Sequence, residues 1–204
     1  MKRFIDIIMS LIGLLILAPA WVIIWVSIVV EDGFPVVIKQ CRIGKNGKQF
    51  NAFKFRSMHK SSLDDCVNVQ AHENDTRITR IGRILRNTAI DESPQLLNIL
   101  LGQMSFVGPR PLLVCEVEVH NPVNFDVRDI PGYAERISVV PGLTGLAQFC
   151  ASRDLPREEK FKYDLMYIKQ RRLLMDIRLI LLSLVVTFLG RWETRDKKLP
   201  VRCD

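Results

Sequence analysis

The sequence has few of the histidine and cysteine residues that build zinc sites, and it lacks a pattern for stacking on nucleic-acid bases. It has three histidines and five cysteines in 204 residues, and neither type recurs at a spacing typical of zinc ligands. It has three tryptophans and three tyrosines, and no basic patch interleaved with aromatic residues. Repeats and low-complexity segments are also lacking. The sequence therefore indicates neither a disulfide scaffold nor a zinc site.

The overall composition is that of a folded protein with an anionic partner. Hydrophobic residues make up 48% of the chain and charged residues 25%, so it is neither disordered nor fibrous. The length allows one domain, or one domain with a short appendage. The net charge of +7 by itself favours a phosphate, nucleotide, lipid head group or nucleic acid as the partner. Of these, we expect no nucleic acid, because a basic patch interleaved with aromatic residues is lacking.

Charge is missing altogether from residues 7–30. As a helix, these 24 residues would measure ~36 Å, enough to cross a hydrocarbon core of ~30 Å. A cleaved signal peptide is disfavoured, because ten more apolar residues follow the small-residue site at 18–20. Length alone therefore favours a spanning helix.

A central proline and the flanking charges favour a different path. Pro19 lacks an N–H and crowds the carbonyl of Leu15, so it kinks or breaks a helix there. Lys2 and Arg3 precede the segment and four basic residues lie within 39–48, so both flanks prefer the cytoplasmic side. We therefore predict a re-entrant helix-break-helix over residues 1–32, broken at Ala18 and Pro19, and a cytoplasmic domain over residues 33–204 that would carry any catalytic site. A Pro-kinked spanning helix remains the alternative.

The rest of the chain predicts an α+β fold that is mostly helical, with a small β-hairpin. Two strand-like runs, residues 36–43 and 48–55, flank an Asn-Gly pair suited to a tight turn. If residues 49–56 are extended, Lys54 and Arg56 project from the same face as Phe50. The last helical run, 173–189, ends in only 11 uncharged residues, so we expect a core or interfacial helix that does not span.

An acidic pair, Asp91 and Glu92, stands before a short apolar helix in which Ser93 is expected to cap the N-terminus. Acidic residues at helix starts are common and stabilise by only ~0.3 to 1 kcal/mol, so the pair alone is weak evidence. A second feature strengthens it, because prolines on both sides of Arg110 hold that residue on a stiff loop. Carboxylates with fixed arginines suit Mg²⁺ and a diphosphate.

Arginines occur at every third position from residue 77 to residue 86. Each step of three drifts by about 60° around a helix, so the first and last point to opposite sides. Two interpretations stay open: a solvated basic face, or phosphate binding by the one or two arginines nearest the acidic pair.

Several blocks together resemble the bacterial sugar transferase family, and in particular its minimal, monotopic phosphoglycosyl transferases. They run in order over nearly the whole chain, at residues 42–48, 53–58, 79–86, 91–96, 105–111 and 140–145, after the apolar segment with its proline. The chain departs from the family at Ala18-Pro19, where many relatives have Ser-Pro.

The resemblance implies transfer of a phospho-sugar from a UDP-sugar to polyprenyl (undecaprenyl) phosphate, with release of UMP. This is the first membrane step of glycoconjugate or exopolysaccharide synthesis, at the cytoplasmic face of the bacterial inner membrane. By that likeness Asp91 is the nucleophile that forms a covalent phospho-sugar intermediate, Glu92 is its partner, and both carboxylates hold Mg²⁺.

The resemblance also implies further site residues. Lys54, Arg86 and Arg110 match the family's basic residues around the diphosphate, and Arg56 is predicted to bind substrate with them. Asp164 and Asp176 match acidic positions of the family, in substrate binding or in helix pairing.

The sequence does not select a sugar or an oligomeric state. A membrane-tethered basic protein without catalytic activity is the alternative function.

Overall fold

The computed structural model describes residues 1–60, 75–114, 126–152 and 155–192. The helices within those ranges are α1 Lys2–Asp32, α2 Arg80–Asn87, α3 Gln95–Leu100, α4 Tyr133–Ile137, α5 Leu146–Cys150, α6 Arg157–Gln170 and α7 Leu173–Leu189. The strands are β1 Val37–Ile43, β2 Gln49–Phe55, β3 Ser105–Val107, β4 Leu112–Leu113 and β5 Gly142–Thr144. The described part is mostly helical with little sheet, as the sequence predicts.

Helix α1 runs without interruption through Ala18 and Pro19, so the structure does not show the predicted break into two arms. Packing on both sides of the proline accounts for this. Trp21 lies against Phe55 with ring centroids 5.7 Å apart, and a Cβ atom on Gly13 would lie 3.1 Å from Leu96. This continuous contact offsets the hydrogen bond that proline removes from the helix. Within the described residues, α1 alone is long and apolar enough to cross a membrane.

The two faces of α1 have different surroundings. On the inner face, Asp6 accepts a hydrogen bond from Ser105 Oγ at 3.1 Å, and Trp21 Nε1 donates to Ser93 Oγ at 2.9 Å. The outer face is apolar and exposed, with Phe4, Ile8, Leu11, Ile12, Leu15, Ile16, Val22, Ile23, Val26 and Val30. These positions recur about every turn, so they form one stripe along the helix.

The predicted hairpin is confirmed. β1 and β2 pair antiparallel, from Val37 opposite Phe55 to Ile43 opposite Gln49. The turn contains Asn46 at φ 55° and Gly47 at φ 77°, the positive angles that favour an Asn-Gly pair.

Three strands were not predicted from the sequence, because they are only two or three residues long. β4 pairs with β1 to complete a sheet in the order β2-β1-β4. β3 and β5 form a separate parallel pair. Pairings this short are set by distant partners and leave no periodicity in the sequence.

The contact between β2 and α3 positions the candidate site. Ala52 of β2 packs with Leu96 and Ile99 of α3 in one buried cluster. Fully buried Asn98 reinforces this contact, because its Oδ1 accepts from Phe53 N at 3.0 Å and its Nδ2 donates to the Asn51 carbonyl at 2.7 Å. The strand is thereby fixed against the helix that follows the acidic pair.

Helix α7 buries one side and exposes the other. Leu179 and Val186 lie in the core, whereas Leu181, Leu184 and Phe188 are exposed. The helix is therefore a core helix with an apolar face that the described residues leave uncovered.

Candidate active site

Asp91 and Glu92 lie on a single 3₁₀ turn, Ile90–Glu92, between α2 and α3. The chain enters this turn through Ala89 in a left-handed conformation, with φ 54°. Both carboxylates are buried, at 2% and 8% exposure. Ser93 does not cap α3 as expected, because its hydroxyl instead accepts the hydrogen bond from the Trp21 indole. The acidic pair is thus held by the turn and by contact with α1.

Lys54 joins the two carboxylates. Its Nζ lies 2.7 Å from Asp91 Oδ2 and 3.6 Å from Glu92 Oε1. The lysine comes from β2, and the acidic turn leads into α3, so the β2–α3 contact brings these groups together.

Arg110 makes a two-point contact with Glu92. Its Nη1 donates to Oε2 at 3.0 Å and its Nη2 donates to Oε1. A planar guanidinium paired in this way with a carboxylate has a fixed orientation. The stiff Pro-Arg-Pro loop therefore places its arginine against the acidic pair.

The surroundings move the pKa values of the two carboxylates in opposite directions. Burial raises the pKa of Asp91, although the charges of Lys54 and Arg86 oppose that effect. Burial would also raise the pKa of Glu92, but Arg110 and Lys54 outweigh it and hold that pKa well below its ordinary value. Neighbouring groups with divergent pKa values are typical of active sites.

A second arginine, Arg136, binds the backbone of Arg110. Arg136 Nη2 donates to the Arg110 carbonyl, and Arg136 Nε binds Asp164 Oδ2 at 2.7 Å. Asp164 is buried, and this burial raises its pKa against the effect of Arg136. Asp164 therefore reaches the acidic pair only through two arginines.

Two predicted site residues lie away from the acidic pair. Arg56 follows the end of β2, is almost fully buried, and donates to the carbonyls of Asp32 and Gly33 at 2.9 and 2.7 Å. Asp176 binds Lys2 Nζ at 2.6 Å at the start of α7. The structure brings together Lys54, Arg86, Asp91, Glu92 and Arg110, and it does not bring Arg56 or Asp176 to them.

Other residues at the site were not among the sequence-based candidates. Arg42 donates to the Pro111 carbonyl at 2.8 Å, and its charge contributes to the low pKa of Glu92. Burial lowers the pKa values of Arg42 and Arg157 to about 10, with the Arg110 charge adding to the effect, so both stay charged at neutral pH. Asn98, which holds β2 against α3, could have been singled out from the sequence because it is a polar residue inside an apolar helix. Arg157 belongs to no local sequence pattern that would have identified it.

The acidic pair fits a hard divalent cation only in part. Two adjacent carboxylates supply oxygen ligands of the kind that Mg²⁺ prefers. Within the described ranges, no cluster of three or more acidic, histidine or cysteine side chains could hold a metal. A Mg²⁺ ion at Asp91 and Glu92 would therefore depend on substrate phosphates and water for its other ligands.

The chain is similar to bacterial transferases. A sequence profile described as bacterial sugar transferase matches residues 1–190. The chain is 38% identical over 195 residues to the UDP-glucose:undecaprenyl-phosphate glucose-1-phosphate transferase of Klebsiella pneumoniae, covering 93% of this chain and 40% of that protein. It is 41% identical over 186 residues to exopolysaccharide production protein PSS of Rhizobium leguminosarum bv. phaseoli, covering 88% and 91%.

A third relative has a different sugar in its name. The chain is 37% identical over 198 residues to a protein of Aeromonas hydrophila named UDP-N-acetylgalactosamine-undecaprenyl-phosphate N-acetylgalactosaminephosphotransferase, covering 95% of this chain and 45% of that protein. The chain thus spans less than half the length of the Klebsiella and Aeromonas proteins, but about nine tenths of the Rhizobium protein.

Proposed function

Because the chain belongs to the bacterial sugar transferase family, we propose that it transfers a phospho-sugar from a UDP-sugar to undecaprenyl phosphate and releases UMP. The observation that carries the proposal is the buried pair Asp91 and Glu92, held by Lys54 and Arg110. Relatives are named for glucose and for N-acetylgalactosamine, so the sugar is left open.

In the first step, a carboxylate oxygen of Asp91 attacks the phosphorus that carries the sugar. The new bond joins Asp91 to that phosphorus, and the bond from the phosphorus to the bridging oxygen breaks, so UMP leaves with the electron pair. In the second step, an oxygen of undecaprenyl phosphate attacks the same phosphorus and the bond to Asp91 breaks. The carboxylate is regenerated, and the product is an undecaprenyl diphosphate sugar. A covalent intermediate divides one displacement into two easier ones.

The pKa values support different roles for the two acids. Asp91, with its raised pKa, is the more basic carboxylate and the better nucleophile once ionised. Glu92 has a lowered pKa and so accepts a proton poorly. The acceptor needs no strong base, because the second ionisation of a phosphate monoester lies near pH 6. We therefore assign Glu92 to orienting Arg110 and to holding metal.

The basic residues would bind the donor. Lys54, Arg86 and Arg110 surround the acidic pair and can offset the charge of a diphosphate. Asp91 and Glu92 would hold Mg²⁺, which when bound neutralises part of the charge that develops on the phosphates.

We propose that α1 lies in one leaflet of the bacterial inner membrane, with the catalytic domain on the cytoplasmic side. Lys2, at its start, binds Asp176 in α7, while Asp32, at its end, binds Arg56 at 3.2 Å beside β2. Both ends are therefore attached to the same body, as a re-entrant or in-plane helix requires and a spanning helix does not. The exposed apolar stripe between them would face lipid.

The decisive experiment measures UMP release from a panel of UDP-sugars with Mg²⁺ and undecaprenyl phosphate. We expect one donor to react and, without lipid, a phospho-sugar mass adduct on Asp91. Asp91→Asn should lose both, whereas Asp129→Asn, at an exposed acid, should keep both. Full activity in Asp91→Asn would overturn the covalent mechanism. Salt-dependent binding to anionic surfaces without UMP release from any donor would favour the non-enzymatic tether instead.

A further inference from the structure

A basic cavity of about 360 Å³ opens where α1 and α7 begin. Its walls come from the first residues of α1, the β1–β2 turn, the segment before β5 and the connection between α6 and α7. The charged residues that line it are Lys2, Lys45, Arg171, Arg172 and Asp176. Lys54, Asp91, Glu92 and Arg110 do not line it, so the cavity is separate from the candidate active site.

The cavity has an excess of positive charge. Asp176 is already engaged, because Lys2 Nζ lies 2.6 Å from its Oδ2 and Tyr167 donates to its Oδ1 at 2.7 Å. Lys45, Arg171 and Arg172 make no salt bridge with any residue that the structure describes. Three cations that face one space, beside a single carboxylate that is already paired with Lys2, favour an anion there.

Apolar side chains at the start of each helix indicate which anion fits. Phe4 of α1 is 66% exposed and Leu174 of α7 is 82% exposed. Each begins an exposed apolar face that continues along its helix, through Ile8 in α1 and Ile177 in α7. A ligand with a phosphate in the cavity could therefore extend hydrocarbon chains along these faces. A nucleotide or a free phosphate would leave them in water.

We propose that this cavity binds the head-group phosphate of an anionic phospholipid of the phosphatidylglycerol type. This inference rests on the proposed membrane placement of α1. Arg171 and Arg172 form the whole connection between α6 and α7, and both are exposed, so they can reach a phosphate without rearranging the core. The site would hold the domain at a fixed orientation on the membrane, with the active site facing the same lipid surface.

The test compares binding to phosphatidylcholine vesicles with and without phosphatidylglycerol, by flotation of the full chain. Each basic residue near an anionic membrane surface strengthens binding by roughly fivefold, so Arg171→Gln with Arg172→Gln should weaken the phosphatidylglycerol-dependent part of the binding by about 25-fold. Lys39→Gln with Arg128→Gln removes the same charge from exposed positions outside the cavity. This control pair should weaken the phosphatidylglycerol-dependent binding much less. Arg171→Lys with Arg172→Lys should retain most of the effect.

Other outcomes separate this proposal from the proposed function. An equal loss in the two glutamine pairs would mean general electrostatic attraction and would overturn the site. If Arg171→Gln with Arg172→Gln instead raises the KM for undecaprenyl phosphate and leaves the phosphatidylglycerol dependence of binding intact, the cavity binds the acceptor phosphate. That result would also overturn the phospholipid site. UMP release in detergent reports the transferase chemistry independently. If wild-type protein binds neither vesicle yet releases UMP, the membrane placement and this site fail while the transferase assignment stands.

Discussion

Replacing Lys54 by methionine tests whether this lysine sets the ionisation of Asp91. Methionine keeps an unbranched side chain and removes the charge 2.7 Å from Asp91 Oδ2. The lysine side chain is only 14% exposed and that of Asp91 only 3%, so little water is present to replace the lost charge. Because burial already raises the pKa of Asp91, the substitution should raise it further.

The expected size follows from the burial of the pair. Removing one partner of a buried ion pair costs about 3 to 5 kcal/mol, and each pKa unit corresponds to about 1.4 kcal/mol. This gives a shift of ~2 to 4 units. Arg86 remains near Asp91 and continues to favour the ionised form, so we expect about 2 units.

The assay is UMP release as a function of pH, at low Mg²⁺ and low UDP-sugar concentrations, so that neither ligand holds Asp91 ionised in the free enzyme. The nucleophile must be ionised, so activity falls as the pH drops through the pKa of Asp91, and kcat/KM reports that pKa in the free enzyme. In Lys54→Met this acidic limb should move upward by about 2 pH units. Lys39→Met removes an exposed lysine from β1 and should leave the limb in place.

The shape of the profile decides between two roles of the lysine. A lower plateau with an unshifted acidic limb would show that Lys54 contacts the donor phosphates without controlling Asp91. That result would refute the inference that Lys54 sets the pKa of Asp91. Lys54 would then contribute only by attracting the donor phosphates in the bound complex or in the transition state.

Three other predictions concern stability and its pH dependence. Asn98→Leu should lower the free energy of unfolding by roughly 2 kcal/mol in urea titrations, because the Phe53 N–H and the Asn51 carbonyl of β2 lose their hydrogen bonds to the Asn98 side chain. An unchanged midpoint would contradict this. Arg56→Met should lower the thermal midpoint, because Arg56 binds carbonyls at the end of α1. The KM for the UDP-sugar, measured below that midpoint, should stay within about twofold of the wild-type value. Arg110→Met should be less stable than wild type at pH 7, because Arg110 lowers the pKa of Glu92. The difference in unfolding free energy should shrink as the pH falls below about 4.5, the ordinary pKa of a glutamate, and through the lower pKa of Glu92 in the folded protein. A difference that does not depend on pH would contradict this prediction.

The features that the sequence predicted well depend on neighbours in the chain. A run without charge marks α1 because an apolar stretch of that length has few other uses. The Asn46-Gly47 pair predicts the hairpin because few other residues tolerate its backbone angles. Asp91 and Glu92 are adjacent in the chain, so any fold must place them together.

Only the tertiary structure decided which cations meet those acids. Lys54 and Arg56 share a face on an ideal strand, but β2 ends at Phe55 and the chain then turns Arg56 toward the end of α1. Asp164 supports Arg110 through Arg136, a relation that no sequence spacing contains. The course of α1 through Pro19 was likewise decided by packing along its inner face. Such contacts join residues far apart in the chain, and their energies depend on burial and geometry that local sequence patterns do not determine.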